Sequence, residues 1–218
     1  MASANISDQD YIGAIESLNK ARDIDDSVPE CYYLYSLAYM NKKETRTAIE
    51  SARYAIKLNP KYSAAKNTLG KLLLDAGRLD EAETWLLESA NDLLFRESYL
   101  PKINLGILYY KKLDYSKSMH WTSKAIEEDY NAPLVCMAHF YRGKAELELG
   151  DLRPAERDLT LASKGACSAM SDAHMTYGQT LVREKKYDEA RAKFVEIQRL
   201  FPSSDTSDQA TRYLREIP

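Results

Sequence analysis

Short stretches of this chain repeat one pattern, in which large apolar residues stand three and four positions apart and so form one face of a helix. Each stretch follows a turn and begins with a small residue, and successive small residues are 34, 34, 36, 37 and 35 positions apart. The small residues are Ala14, Ala48, Ala82, Ser118, Ala155 and Ala190. A nearly constant interval predicts a chain built from equivalent structural units.

A second small residue lies upstream of most of these stretches, at the end of a preceding short helical segment that we call the partner phrase. The partner phrases end in Leu69-Gly70, Leu105-Gly106, Arg142-Gly143 and Tyr177-Gly178. Two antiparallel helices approach closely only where their side chains are small. We therefore predict that each unit is a pair of helices in contact at these positions.

The interval and the residues around it resemble the tetratricopeptide repeat, whose unit is 34 residues long. The matching residues are Tyr35, Ser36, Tyr39, Ala48, Ala55, Asn59 and Pro60 in one unit and Tyr177, Gly178, Tyr187, Ala190, Phe194 and Pro202 in another. The resemblance implies an all-α fold, a right-handed α-α superhelix of about six helix pairs followed by a C-terminal capping helix. Because a single pair cannot bury its apolar face, we predict that residues 1–218 form a single domain of stacked pairs.

The boundaries of the units follow from the same alignment. We place them at about 1–28, 29–62, 63–98, 99–135, 136–170 and 171–204, with the capping helix at 205–217. Candidates for the N-cap of that helix are Thr206, Ser207 and Asp208. Only about ten residues precede the second helix of the first unit, too few for a complete first helix. We expect this to reflect an N-terminal truncation or a processed mature chain.

Stacked helix pairs form a concave groove lined by the first helix of each unit, where partners bind as peptides or helices. The register predicts that the groove is lined by Tyr33, Leu37, Met40, Asn67, Lys71, Leu74, Ile103, Ile107, Tyr110, Phe140, Lys144, Leu147, Met175, Gln179 and Val182. This set is mostly apolar with two cations, so we expect a partner segment with apolar anchors and an occasional acid. The alternative for each residue is that it packs against a neighbouring helix and never contacts a partner.

Two further possibilities concern individual residues. Trp85 and Trp121 occupy the same position in the second helices of adjacent units, so they are an alternative binding site on the outer face. The competing interpretation is that they are half buried between helices.

Asn67 and Lys71 superficially resemble the residues with which tetratricopeptide proteins hold the C-terminal carboxylate of chaperones. Their order is reversed and neighbouring units supply no matching cations, so we do not predict that binding mode.

Composition narrows the function classes further. The net charge is only -3, which gives no field that would attract nucleic acid, and no apolar stretch is long enough to span a membrane.

The cysteines and histidines do not indicate a chemical site. The three cysteines are odd in number and far apart in the sequence, and we predict that all three, Cys31, Cys136 and Cys167, are small packing residues. His139 and His174 are expected to substitute for a consensus Trp, and the three histidines have no ligand spacing for a metal. No nucleophile, acid-base or phosphate-binding motif is present, so we predict no enzyme activity and no cofactor.

One segment points to a particular group of repeat proteins. Residues 85–98, followed by Ile103-Asn104-Leu105-Gly106, resemble the PilF/PilW family of type IV pilus biogenesis proteins. The resemblance implies a pilotin-like protein that binds the secretin, the pilus exit channel, and assists its assembly. It also implies a bacterial protein tethered to the outer membrane and facing the periplasm, although the lipid-bearing Cys of that family is absent from residues 1–10.

The alternative is a cytoplasmic adaptor in bacterial motility, polarity or signalling, which binds a regulatory protein such as a small GTPase. Three unpaired cysteines and the absence of a signal peptide would fit this alternative equally well. Both hypotheses require a protein partner, and neither predicts an oligomeric state.

Overall fold

The computed structural model describes residues 2–218, which form thirteen α-helices, one short 3-10 helix at Gly165–Cys167 and no strand. The helices are α1 (Ala2–Ser7), α2 (Tyr11–Ile24), α3 (Pro29–Asn41), α4 (Thr45–Leu58), α5 (Ser63–Asp75), α6 (Leu79–Ala90), α7 (Tyr99–Lys111), α8 (Tyr115–Glu128), α9 (Val135–Leu149), α10 (Leu152–Ala162), α11 (Ser171–Arg183), α12 (Tyr187–Leu200) and α13 (Asp205–Glu216). The all-α prediction and the pairing of helices are confirmed. None of the described helices combines the length and apolar character needed to cross a bilayer.

The helices form two compact units, Met1–Asn104 and Leu105–Pro218, and the boundary between them falls within α7. In the first unit α3 packs mainly on α4, and α5 on α6. In the second unit α9 packs mainly on α10, and α11 on α12, while α13 packs on α12. Each unit therefore buries apolar surface between consecutive helices, as the repeat pattern predicts.

The glycines at the ends of the partner phrases lie where two helices touch. A Cβ atom on Gly178 would stand 2.7 Å from a ring carbon of Phe194, and one on Gly143 would stand 3.0 Å from Cγ of Leu159. Both distances are shorter than van der Waals contact, so only glycine permits this approach without movement of the facing side chain. In both pairs the residue that faces the glycine stands four positions after the small residue that opens the second helix: Phe194 follows Ala190, and Leu159 follows Ala155.

The turns within the helix pairs repeat as regularly as the helices. Each contains one residue with positive φ, five positions before the small residue that opens the second helix. These residues are Gln9, Lys43, Gly77, Leu113, Gly150 and Lys185. One backbone conformation thus reverses the chain in every pair, although only two of the six positions carry glycine.

The two ends of the chain were predicted to carry a capping helix and a short first helix. The last helix, α13, begins at Asp205 as predicted, but its N-cap is Ser204, whose hydroxyl oxygen accepts a hydrogen bond from the Ser207 backbone N–H at 3.1 Å. The prediction of Thr206, Ser207 or Asp208 as cap was therefore wrong, because an N-cap precedes the first helical residue and all three lie inside the helix. At the other end α1 is a helix of six residues, Ala2–Ser7.

The cysteine prediction is corrected in part. Cys136 at the start of α9 and Cys167 in the 3-10 helix form a disulfide, with Cα atoms 5.9 Å apart, whereas Cys31 is a free, buried thiol. The loop after α10 brings Cys167 back against the first turn of α9. Only Cys31 keeps the predicted role of a small packing residue.

Candidate protein-binding site

The predicted groove residues of the first unit lie on α3, α5 and the first part of α7. Five of them are half buried, so their side chains keep surface that a partner could contact; they are Tyr33, Leu37, Met40, Asn67 and Lys71. Leu74 and Ile103 are 1% and 4% exposed, so a partner could reach only a small part of either. Their role as partner contacts stays a prediction.

The polar members of this first-unit set already have partners within the chain. The ammonium group of Lys71 forms an ion pair with Asp75 one helical turn later. The Asn67 side-chain oxygen accepts a hydrogen bond from the Asn104 amide at 2.9 Å. The Lys71 ammonium group and the Asn67 side-chain oxygen are therefore both bonded within the chain.

The predicted residues of the second unit lie on α7, α9 and α11. Tyr110, Lys144, Leu147, Gln179 and Val182 are half buried. The others pack inside the unit, where Ile107, Phe140 and Met175 are 8%, 5% and 6% exposed. The half-buried residues are the accessible part of the predicted site.

Lys144 lies among three aromatic rings, which we name the aromatic cluster and define as Tyr110, Phe140 and Tyr141. Its ammonium nitrogen is 4.5 Å from the ring centre of Tyr110, 5.3 Å from that of Phe140 and 5.7 Å from that of Tyr141. Burial lowers the pKa of Lys144, although Asp172 and Glu148 act in the opposite direction from a distance. The sequence analysis included Tyr110, Phe140 and Lys144 but missed Tyr141.

The two tryptophans proposed as an outer-face site are both half buried. The Trp121 ring carries the Lys124 ammonium group 5.0 Å from its centre and has His120 edge-on at 5.5 Å. Trp121 therefore already has a cation on one face, and neither tryptophan is fully exposed. Their role as an alternative contact site stays a prediction.

A buried polar cluster supports α9 from the side of α10. The Asp158 carboxylate, 4% exposed, accepts hydrogen bonds from the Arg142 guanidinium, one of them at 2.8 Å, and lies 2.9 Å from Nδ1 of His139. Burial alone would raise the pKa of Asp158, but the hydrogen bonds from Arg142 and His139 outweigh it, so the pKa is lowered. His139 is thus buried as predicted, yet it is part of an ionic cluster that the sequence analysis did not foresee.

Glu146 lies on the same helix, and among the described residues its Oε2 atom is buried without a hydrogen-bond partner. Burial and the neighbouring Asp158 charge raise the pKa of Glu146 to about 7. A carboxyl group with a raised pKa stabilises the fold below its unfolded pKa of about 4.3, and this stability is lost as the pH rises through about 7. Asp158 does not act in this range, because its lowered pKa keeps it ionised.

We expect Glu146→Gln to stabilise the protein by about 1–3 kcal/mol at pH 8 and to have little effect at pH 4.5. The measurement is urea unfolding followed by circular dichroism at several pH values. The matched control is Glu127→Gln, a change at an exposed residue of α8. A stability difference that does not depend on pH would contradict the raised pKa.

Comparison with known proteins identifies the repeat. Two family models, each described as tetratricopeptide repeat, match residues 42–93 and residues 140–205, together more than half of the chain. The chain belongs to the tetratricopeptide repeat family. As a tetratricopeptide repeat protein it is a scaffold for interactions with other proteins, and such scaffolds bind partners on the surface formed by stacked helices.

The resemblance of this tetratricopeptide repeat protein to PilF and PilW is also confirmed. It is 26% identical over 141 residues to the type IV pilus assembly protein PilF of Pseudomonas aeruginosa, a match that covers 65% of this chain and 52% of PilF. The solved structure of PilF aligns with a TM-score of 0.83 at 19% identity, covering 97% of this chain and 93% of the PilF chain in that structure. That of PilW, described as a widely conserved type IV pilus biogenesis factor, aligns with a TM-score of 0.85 at 18% identity, covering 96% and 94%. The sequence match thus spans about half of the length of the curated relative.

Proposed function

We propose that this chain is a pilotin-like protein of type IV pilus biogenesis, a non-enzymatic scaffold that binds the secretin and assists its assembly. The observation that carries the proposal is the sequence match to PilF, since it extends over 141 residues and so exceeds several repeat units. The likeness of the fold to PilF and PilW over nearly the whole of each chain agrees with it. The half-buried groove residues are the proposed partner contacts, with Trp85 and Trp121 as the alternative surface.

The disulfide supports the compartment that this function requires. Disulfides form and persist in oxidising compartments such as the bacterial periplasm and are rare in the cytoplasm. The Cys136–Cys167 bond therefore favours a location outside the cytoplasm over the cytoplasmic adaptor. Because two of the three cysteines are paired, the argument from three unpaired cysteines no longer supports the cytoplasmic adaptor.

The test is deletion of the gene in the native bacterium, followed by measurement of surface pili and of assembled secretin in outer-membrane fractions. We expect both to fall and to be restored by the wild-type gene. A groove variant with Leu147→Ala and Gln179→Ala should fail to restore them, whereas Trp121→Ala should succeed if the groove is the binding face. A deletion strain with normal pili and normal secretin assembly would overturn the proposal.

The disulfide itself makes a prediction about stability. The bond closes a loop of 31 residues, so Cys136→Ser combined with Cys167→Ser is expected to lower the free energy of unfolding by about 2–4 kcal/mol. Urea unfolding with and without a reductant measures this difference. The reductant should destabilise the wild-type protein and leave the double variant unchanged, and an unaltered wild-type curve would show that the bond is not formed in solution.

A further inference from the structure

Lys144 is a half-buried cation that has no acidic partner at ion-pair distance. Among residues 2–218 no carboxylate oxygen lies within ion-pair distance of its ammonium nitrogen. Two other lysines of the second unit are paired, Lys186 with Glu156 at 2.6 Å and Lys193 with Glu196 at 3.1 Å. Lys71, the other cation predicted in the groove, is paired with Asp75.

Two carboxylates, Asp172 and Glu148, act on Lys144 electrostatically, but neither lies within ion-pair distance of its ammonium nitrogen. Glu148 stands one turn after Lys144 on α9, but its Oε1 lies 3.4 Å from the Tyr110 hydroxyl, which donates a hydrogen bond to it. The lysine side chain is directed to the rings of the aromatic cluster instead. Aromatic rings stabilise a half-buried cation that lies over them, but they do not neutralise its charge.

The rings and the charge together define what could bind. A carboxylate next to Lys144 would meet the cation beside apolar rings, where the effective dielectric constant is low and attraction is stronger than in bulk water. Leu147 is half buried three residues further along the same helix and offers apolar surface beside the charge. The surface therefore combines one positive charge with apolar contacts.

We propose that Lys144 and the aromatic cluster bind an aspartate or glutamate side chain of the partner protein, with an adjacent apolar partner side chain packed near Leu147. An internal acidic side chain fits better than a C-terminal carboxylate, since a single lysine is a point charge and does not provide several donors in fixed geometry. This inference rests on the proposed scaffold function and names the chemistry of its partner. It assigns the main charge recognition to the second unit.

The test uses the full chain and a phage library of random twelve-residue peptides displayed with no free C-terminus. We expect the wild-type protein to enrich peptides that carry an acid beside an apolar residue. Lys144→Met, which keeps the aliphatic stem, should lose this enrichment, and Lys144→Glu should enrich Lys or Arg peptides instead. Lys57→Met is the matched control and should select as the wild type does, because Lys57 also lies over an aromatic ring, 5.5 Å from the centre of Tyr54, but stands on α4 outside the predicted groove.

Affinity measurements complete the test with the selected peptides synthesised with amidated C-termini. Fluorescence anisotropy should show binding at least about tenfold weaker to Lys144→Met than to the wild type, while Lys57→Met binds normally. Unfolding curves of all variants establish that they are folded. Equal selection of acidic peptides by Lys144→Met, no acidic enrichment by the wild type, or binding that requires a free C-terminus would overturn the proposal. No secretin is used, so the outcome is independent of the deletion experiment.

Discussion

Replacing Asp158 with alanine is expected to lower the free energy of unfolding by about 3–5 kcal/mol, because it leaves a partly buried guanidinium and a buried imidazole without their shared acceptor. Asp158 is 4% exposed and is hydrogen-bonded to both Arg142 and His139. Urea unfolding at pH 7 measures the loss. The contribution of the lowered pKa is present above the unfolded pKa of about 3.9, so the difference should shrink as the pH falls below that value.

The control for this prediction is Glu127→Ala, which removes a carboxylate from the exposed face of α8 and should change stability by less than about 0.5 kcal/mol. A double-variant cycle isolates the pair: Asp158→Ala should cost less when Arg142→Met is already present, since no unpaired guanidinium then remains. If Asp158→Ala were as mild as Glu127→Ala, the cluster would not stabilise the fold.

The helix pairs could be predicted from sequence because close helix contact restricts residue choice at a few positions. Gly178 faces Phe194, and Gly143 faces Leu159, sixteen positions later in both cases. At the same spacing in an earlier unit stand Ser36 and Ala52, both fully buried, so the larger first-helix residue is matched by a smaller second-helix residue. The period is visible in the sequence because the combined volume of the two facing side chains is constrained.

The ionic cluster was missed although the sequence carries a sign of it. Arg142 occupies the repeat position that holds Leu69 in the third unit and Leu105 in the fourth, and Asp158 occupies the position of Trp85 and Trp121. A basic and an acidic residue thus replace apolar residues at two positions of one unit. The sequence analysis treated Arg142 only as the neighbour of Gly143, so the coupled change was not recognised.

The disulfide was missed for a geometric reason. Its cysteines are 31 residues apart, close to one repeat interval, and the prediction considered only short spacings and the odd total. Residues separated by one repeat lie side by side when helices stack, so a separation that is long in sequence is short in space. The irregular loop after α10, which the period does not describe, makes the contact possible.

The sequence also could not distinguish the two groove lysines. Lys71 has Asp75 four residues later, and Lys144 has Glu148 four residues later, so their sequence spacing predicts the same ion pair. The first pair forms, whereas Glu148 accepts from Tyr110 and leaves Lys144 to the aromatic cluster. The difference depends on side-chain contacts between helices of neighbouring repeats, which the period alone does not contain.

Phe194→Ala is expected to lower the free energy of unfolding by about 3–5 kcal/mol, the usual cost of removing a fully buried aromatic side chain. Phe194 is 0% exposed, and its ring is stacked on that of Tyr213 with 4.8 Å between ring centres. Urea unfolding followed by circular dichroism measures the loss. Val195→Ala, a change at a residue of the same helix that is 55% exposed, is the matched control and should have little effect.

The glycine opposite Phe194 allows a sharper test of the same contact. In the wild type Gly178→Ala should destabilise, since the new Cβ would stand 2.7 Å from the Phe194 ring, which outweighs the roughly 1 kcal/mol by which alanine favours a helix over glycine. In the Phe194→Ala protein the same methyl group enters space that the ring has left. We therefore expect Gly178→Ala to become neutral or stabilising there, and additive effects of the two changes would contradict direct packing of the ring on the glycine.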